Sequence, residues 1–326
     1  MSRFEMLERM VDNRLFDTIK AHQTTIGAVV VAIAVLIPFL VPSALLFDLT
    51  LVFIYGMLAF SAILPIGYAG QLILAQGAFF GVGAYSFVKL TEAGLPPVVA
   101  ILVATVFTGV VAYLLGKPAT RASGIYLGII TLAFNELFVN FLELFPDFTG
   151  GSTGLSAPSL FPSVMTGMIP GDVLYYYLLL LVYIGTVVFF YRLLHSEFGW
   201  ALLTIKEDPV LAESIGIDAQ RYRLLSFTSA GLICGLAGGL FAPFNGYLSP
   251  PMFDLHRTID IILAGVAGGL TTPIGSIFGG LIVVLVPEVL RFIAEIRLII
   301  YGVLLILLLM YLPEGIGGWL REKWEQ

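Results

Sequence analysis

Charge is what this sequence has least of. Only 12% of its 326 residues are charged, about half of the roughly 25% usual in a soluble domain, while 59% are hydrophobic. That composition cannot dress a water-facing surface, so lipid is the expected solvent. Cysteine is almost as scarce: Cys234 stands alone, which excludes an internal disulfide and a cysteine-type metal cluster. Three histidines, His22, His195 and His256, share no ligand spacing, so no metal site is expected. The net charge is −6, and no basic stripe with interleaved aromatics exists, which removes nucleic acid as a partner. The only Gly-Lys pair, Gly116-Lys117, precedes Pro118, and Val111 stands where a phosphate-binding loop needs its first glycine. A His-Glu-x-x-His helix is also missing. The expectation is a chain that is not an enzyme and binds no cofactor of its own.

What the sequence has instead is long apolar runs. About 20 apolar residues cross the hydrocarbon core as a helix. Ile26 to Phe47, Leu49 to Ile66, Leu72 to Leu90, Leu95 to Gly116, Ala122 to Leu144, Val173 to Leu194 and Leu224 to Phe244 approach or exceed that length. Ile259 to Leu270, Pro273 to Pro287 and Leu298 to Leu312 are shorter and read as tilted or broken spans. Taking all as crossings puts twelve of the sixteen Lys and Arg residues on the side of the N-terminus, which is then the cytoplasmic side. Residues 1–24, where Arg3, Arg9, Arg14 and Lys20 alternate with Glu5, Glu8, Asp12 and Asp17, read as a cytoplasmic amphipathic segment rather than a signal peptide. The transmembrane domain follows at 25–318, with an external loop at 145–172, a cytoplasmic loop at 195–223 and a cytoplasmic tail at 319–326.

A repeat is visible within the spans. Gly67, Ala69, Gly70, Leu72, Gly77, Phe80 and Gly81 recur 198 residues later as Gly265, Ala267, Gly268, Leu270, Gly275, Phe278 and Gly279. Paired Gly-interrupted segments point to a path at a repeat interface; close helix packing through small residues accounts for them equally. The fold class read from these patterns is an all-α polytopic membrane protein of about ten transmembrane helices, some short or broken, in two related Gly-rich halves.

Polar groups inside the spans are the candidates for contact with a solute. Gln71 and Gln76 lie in the first Gly-rich stretch; helical geometry would put them about 140° apart. Asn135 and Glu136 interrupt Ala122 to Leu144. Such a carboxylate must be protonated, paired or facing water; a cation contact, a proton relay and an inter-helix hydrogen bond all remain open. Gly265 and Gly268 complete the candidate translocation path. Asp260 and Glu288 sit near span ends, where snorkelling suffices.

The loop HSEFGWALLTIKEDPVLAESIGIDAQRYR, His195 to Arg223, is long and regular. Trp200, Leu203 and Leu211 suggest an amphipathic helix with Glu207 and Asp208 on its polar side, and Gly216 closes a second short helix. Such an element suits docking into a groove of another protein; lying on lipid is the alternative. FGWALLTIKEDPVLAESIGIDAQRYRLLSF resembles the coupling loop of the permease subunits of branched-chain amino acid ABC importers. GYAGQLILAQGAFFGVGAY, GGSTGL and YGVLLILLLMYLPEGIGG resemble other parts of that family, over roughly Leu49 to Gly318. The resemblance implies a permease that forms the path beside a second permease subunit. Two cytoplasmic ATPase subunits would hydrolyse the ATP, and an external substrate-binding protein would deliver the solute at the cell inner membrane. Glu207, Asp208, Glu213 and Gly216 fall in the part expected to touch the ATPase. Urea or short amides are the alternative cargo within the family, and an ion-driven carrier using Glu136 is the alternative outside it.

Overall fold

The computed structural model describes residues 36–122, 124–161, 170–270 and 275–290, with isolated positions between 273 and 318. Two compact units divide the chain, Met1–Phe47 and Asp48–Gln326. In the first, the described part begins with helical residues 36–40. The reading of 1–24 and of the tail 319–326, the first part of Ile26 to Phe47 and most of Leu298 to Leu312 lie outside the described residues.

Ten helices carry labels here: α1 (Ser43–Ala62), α2 (Gln76–Glu92), α3 (Pro97–Ala119), α4 (Ile125–Leu144), α5 (Gly171–Leu194), α6 (Glu197–Glu207), α7 (Pro209–Ser214), α8 (Ala219–Asn245), α9 (Leu255–Gly268) and α10 (Gly275–Val289). Proline at the first helical position opens α3 and α7, where its missing N–H costs nothing. Carboxylates cap α7 as well as two further helices: Asp208 on α7, Asp218 on α8 and Asp254 on α9 each accept a backbone N–H.

Among the described residues, five helical stretches are long and apolar enough to cross a membrane: Ser43–Tyr68, Pro97–Ala119, Ile125–Leu144, Gly171–Leu194 and Ala219–Asn245. The protein is an all-α, multi-pass membrane protein. One expected span differs in kind: the run from Leu72 begins as non-helical chain, and its helix starts only at Gln76. Backbone of that sort is tolerated at membrane depth only inside protein or beside a cavity, and Ile73 and Ala75 are fully buried.

Small residues hold the centre together. Helix α8 packs against α2 and α3. A Cβ added at Gly83 of α2 would lie 2.5 Å from the Gly235 carbonyl of α8, and one at Gly235 would lie 2.7 Å from Thr108 of α3. Lipid supplies no hydrophobic force between helices, so backbones this close gain dispersion contacts that larger side chains would forfeit. The same device joins α9 to α10, where Gly279 abuts the Ala264 carbonyl, and α10 to α1, where a Cβ on Gly280 would come within 2.6 Å of the Val52 carbonyl.

The loop after α4 is tied to the loop after α8 by a two-residue antiparallel ladder. In it β1 (Leu155–Ser156) pairs with β2 (Tyr247–Leu248), Leu155 facing Leu248 and Ser156 facing Tyr247. Tyr247 Oη donates to the Thr153 carbonyl at 2.7 Å, and Ala157 N to the Gly246 carbonyl at 2.9 Å. Gly154 has φ of +69° and abuts the Leu248 carbonyl. Gly154→Ala is therefore expected to cost about 1–3 kcal/mol and to open this tie. Faster proteolysis of residues 150–161 in folded protein would report it, and unchanged cleavage would count against the tie.

Candidate functional site

The first Gly-rich stretch is a break in the backbone. Helix α1 leaves α-geometry at Ile63 and runs through a π-helical turn, Ile63–Tyr68. The chain then passes Gly70, at φ +63°, and stays non-helical to Ala75. Only glycine adopts that φ without strain. Because Gln71 precedes α2, helical spacing does not govern its position relative to Gln76. That correction follows from Gly70, whose left-handed turn ends the helical path.

Backbone groups freed by the break find partners in the π-helical turn and on other helices. Gln71 N donates to the Pro65 carbonyl at 2.8 Å. Leu74 N donates to Thr131 Oγ1 of α4 at 2.9 Å. At the start of α2, Gly77 N donates to Thr258 Oγ1 of α9 at 2.9 Å and Ala78 N to Asn135 Oδ1 of α4 at 2.7 Å. Thr258 Oγ1 in turn donates to Asn135 Oδ1 at 3.2 Å. Asn135 is thus fully buried and engaged in capping a helix that begins inside the protein. Gln71 and Gln76 contrast with it: both are buried, and all four of their amide atoms lack a partner among the described residues. An unpaired buried amide group costs about 1–3 kcal/mol, which makes these two side chains the polar groups of the region most in need of a partner.

The second Gly-rich stretch lies against the first. Gly67 abuts the Leu270 carbonyl, and a Cβ on Gly265 would lie 2.9 Å from Ala62. Gly268 abuts Gly275 across its own break, α9 ending at Gly268 and α10 opening at Gly275. In this conformation the glycines make close backbone contact.

The 195–223 loop forms two helices, as its pattern implies, but in another phase. Leu202, Ile205 and Ala212 are buried, and Ile205 and Ala212 pack with Ala219, Ile217 and Tyr222. Trp200 and Leu211 are 69% and 57% exposed, so they belong to the outer face rather than to an inward stripe. Asp208 Oδ1 accepts from Val210 N and Leu211 N, which is why α6 stops and α7 starts there. Gly216, at φ +90°, closes α7. Glu207 and Glu213 are exposed.

One contact was not legible in the loop's sequence. Lys206 Nζ, at the end of α6, donates to the Gly67 carbonyl at 2.8 Å. The loop therefore touches the π-helical turn itself.

Helix α4 carries Glu136 on its exposed side. Asn140 Nδ2 donates to the Glu136 carbonyl at 2.7 Å, and Glu143 is exposed one further turn along. Gly150-Gly151-Ser152-Thr153-Gly154 has the spacing of a hydrolase nucleophile elbow. Its geometry is different: Ser152 sits exposed in a 3-10 turn, Gly151–Thr153, that follows the single helical turn Pro146–Thr149 instead of a strand. No group of three or more His, Cys, Asp or Glu side chains that could hold a metal occurs among the described residues.

Known proteins resemble this chain along most of its length. It is 29% identical to the high-affinity branched-chain amino acid transport system permease protein LivM of Escherichia coli (strain K12), over 92% of this chain and 75% of that protein. It is 28% identical to the probable branched-chain amino acid transport permease protein LivH of Methanocaldococcus jannaschii, over 76% of this chain and 84% of that one. The corresponding LivH of Escherichia coli (strain K12) is 23% identical, over 81% and 91%. No solved structure matches significantly. Residues 44–309 match the family model described as branched-chain amino acid transport system / permease component, a range that takes in both Gly-rich breaks and the whole 195–223 loop, and the chain belongs to that family.

Proposed function

We propose that this chain is the membrane-spanning subunit of an ATP-driven importer of branched-chain amino acids. It works beside a second permease subunit, two cytoplasmic ATPase subunits and an external substrate-binding protein, in the cell inner membrane with both termini cytoplasmic. ATP is hydrolysed by the partners.

The observation that carries this reading is the outer face of the α6–α7 loop. Trp200, Val210, Leu211 and Ile215 are 57–76% exposed there, next to Glu207, Asp208 and Glu213, while the opposite side is anchored on the protein. Exposed apolar side chains beside acids, on a pair of helices held by its other side, suit docking into another protein. Gly216 sets the direction in which the chain returns to α8.

The exposed faces of the spans support a second permease. Helix α3 turns Val99, Leu102, Val106 and Leu114 outward, a face suited to lipid. Helix α4 turns Glu136, Asn140 and Glu143 outward, spaced along one side. A charged side chain at a helix centre costs about 2.5–3.5 kcal/mol in lipid, so this side faces the partner permease and the path between the two. Gln71, Gln76, Asn135, Gly265 and Gly268 line or hold the path's inner wall, and the two breaks repack as it opens.

Proteoliposomes containing this chain, its ATPases, the second permease and the binding protein test the reading. ATP-dependent uptake of leucine is the expected result. Uptake of urea in its place would reassign the cargo, and uptake by this chain alone without ATP would establish an ion-driven carrier instead. In the same vesicles Gly216→Val, which meets no neighbour within 4 Å but must adopt φ of +90°, is expected to lower uptake about tenfold while ATP hydrolysis continues. That factor corresponds to about 1.4 kcal/mol, within the range of such backbone strain.

A further inference from the structure

We propose that Lys206 is the positioning residue through which the 195–223 loop governs the break at 69–75. The proposal rests on the importer reading above and adds the route by which a change at the loop reaches the membrane interior.

Two contacts meet at this residue. Its ammonium donates to the Gly67 carbonyl at 2.8 Å, within the last turn of the π-helix. A helix end presents carbonyls without intrahelical partners and partial negative charge, so a cation there both bonds and stabilises it. Its aliphatic stem packs beside Gly70: a Cβ on that glycine would lie 3.2 Å from Lys206 Cγ. One side chain thereby touches the C-terminal end of the turn, at Gly67, and the left-handed Gly70 just beyond it.

The segment it touches has reason to adopt a second conformation. A π-helical turn is an α-helix carrying one extra residue per turn, and such turns concentrate at functional sites. Immediately beyond it, Gln71 and Gln76 bury four amide atoms without partners among the described residues. A rearrangement that let those amides meet water or solute would gain what the present state lacks. The Lys206 bond favours the present state, because the Gly67 carbonyl must stay at the end of α6 for it to form.

The loop is built to pass displacement on. Ile205, on the turn that carries Lys206, is buried with Ala212 and Ala219, so α6, α7 and the start of α8 form one packed unit. Glu207 and Asp208 follow Lys206 directly and belong to the proposed docking face. A shift of that face moves Lys206 with it, and either drags or releases Gly67. Differential contact in two states is what a coupled change requires.

The test uses the whole transporter in proteoliposomes. Lys206→Met keeps the stem against Gly70 and removes the donor; Lys206→Arg keeps a cation and a donor. The expected result for Lys206→Met is at least a tenfold rise in ATP hydrolysed per amino acid taken up, with most of the coupling retained in Lys206→Arg. Hydrogen exchange of residues 69–75 should respond to ATP in the unmodified transporter and in the Arg variant, but not in the Met variant. A Met variant with normal coupling and a normal ATP response in exchange would overturn the proposal. So would failure of both variants to assemble, because Lys206 would then be a static support. Absence of ATP-driven uptake by the unmodified complex is a separate result: it defeats the importer reading, and this proposal with it.

Discussion

Gly238→Leu is expected to remove most folded protein from the membrane, whereas Gly185→Leu is expected to leave its amount unchanged. Both glycines lie within membrane-crossing helices, α8 and α5. Propensity alone would make each substitution mildly stabilising in a helix. Their surroundings are opposite. A Cβ on Gly238 would overlap the Phe80 carbonyl and lie 2.8 Å from Ala84 N, both backbone atoms of α2, while one on Gly185 meets nothing within 4 Å. A flexible side chain could move aside; the α2 backbone cannot, because Gly83 is itself held against Gly235. Overpacking usually costs about 1–3 kcal/mol, and an obstacle made of backbone puts this case at the upper end or above it. The quantity of monodisperse protein extracted in detergent, with its melting temperature, measures the effect. Equal yields of the two variants would mean that α2 and α8 do not cross where the structure puts them.

Asn135→Leu should reduce uptake by at least tenfold even in protein that still folds. The side chain is nearly isosteric, so packing around α4 is preserved. What disappears is the acceptor for Ala78 N at 2.7 Å and for Thr258 Oγ1 at 3.2 Å. An orphaned buried N–H costs about 1–3 kcal/mol, and it falls at the first turn of α2, the rigid side of the break. Thr258→Val removes the neighbouring cap, the acceptor of Gly77 N. Since the two caps also bond each other, the double variant should lose less stability than the sum of the single losses, by about 0.5–3 kcal/mol. Strictly additive losses in melting experiments would show that the caps act separately, and unchanged uptake in Asn135→Leu would make the cap irrelevant to transport.

These residues show how far sequence reasoning reaches. Asn135 stands out as polar within an apolar run, but spacing cannot say whether it faces a solute, a proton path or another helix. Its partners, at Ala78 and Thr258, are 57 and 123 residues away, and only the crossing of three helices brings them together. Glu136 is its immediate neighbour and is exposed, since a step of about 100° along a helix is enough to leave the buried face. Trp200 and Leu211 mark an amphipathic element in the sequence, but which of its apolar residues turn inward is not legible there: Leu202 and Ile205 are buried, while Trp200 and Leu211 are exposed. Lys206 carried no signal at all: one lysine in an acidic loop resembles any other until Gly67 is found beside it.

By itself, the sequence determined that lipid is the solvent, that most of the chain is helical, and that its Gly-rich stretches are places where helices approach or break. Composition and run length decide those matters, because each depends on the transfer of many residues from water and on local backbone geometry. Tertiary structure alone decided where the first break falls, which helices cap it, and that the 195–223 loop reaches it through Lys206. Those outcomes rest on hydrogen bonds between segments far apart in the chain, and no local pattern encodes the position of a partner that another helix supplies.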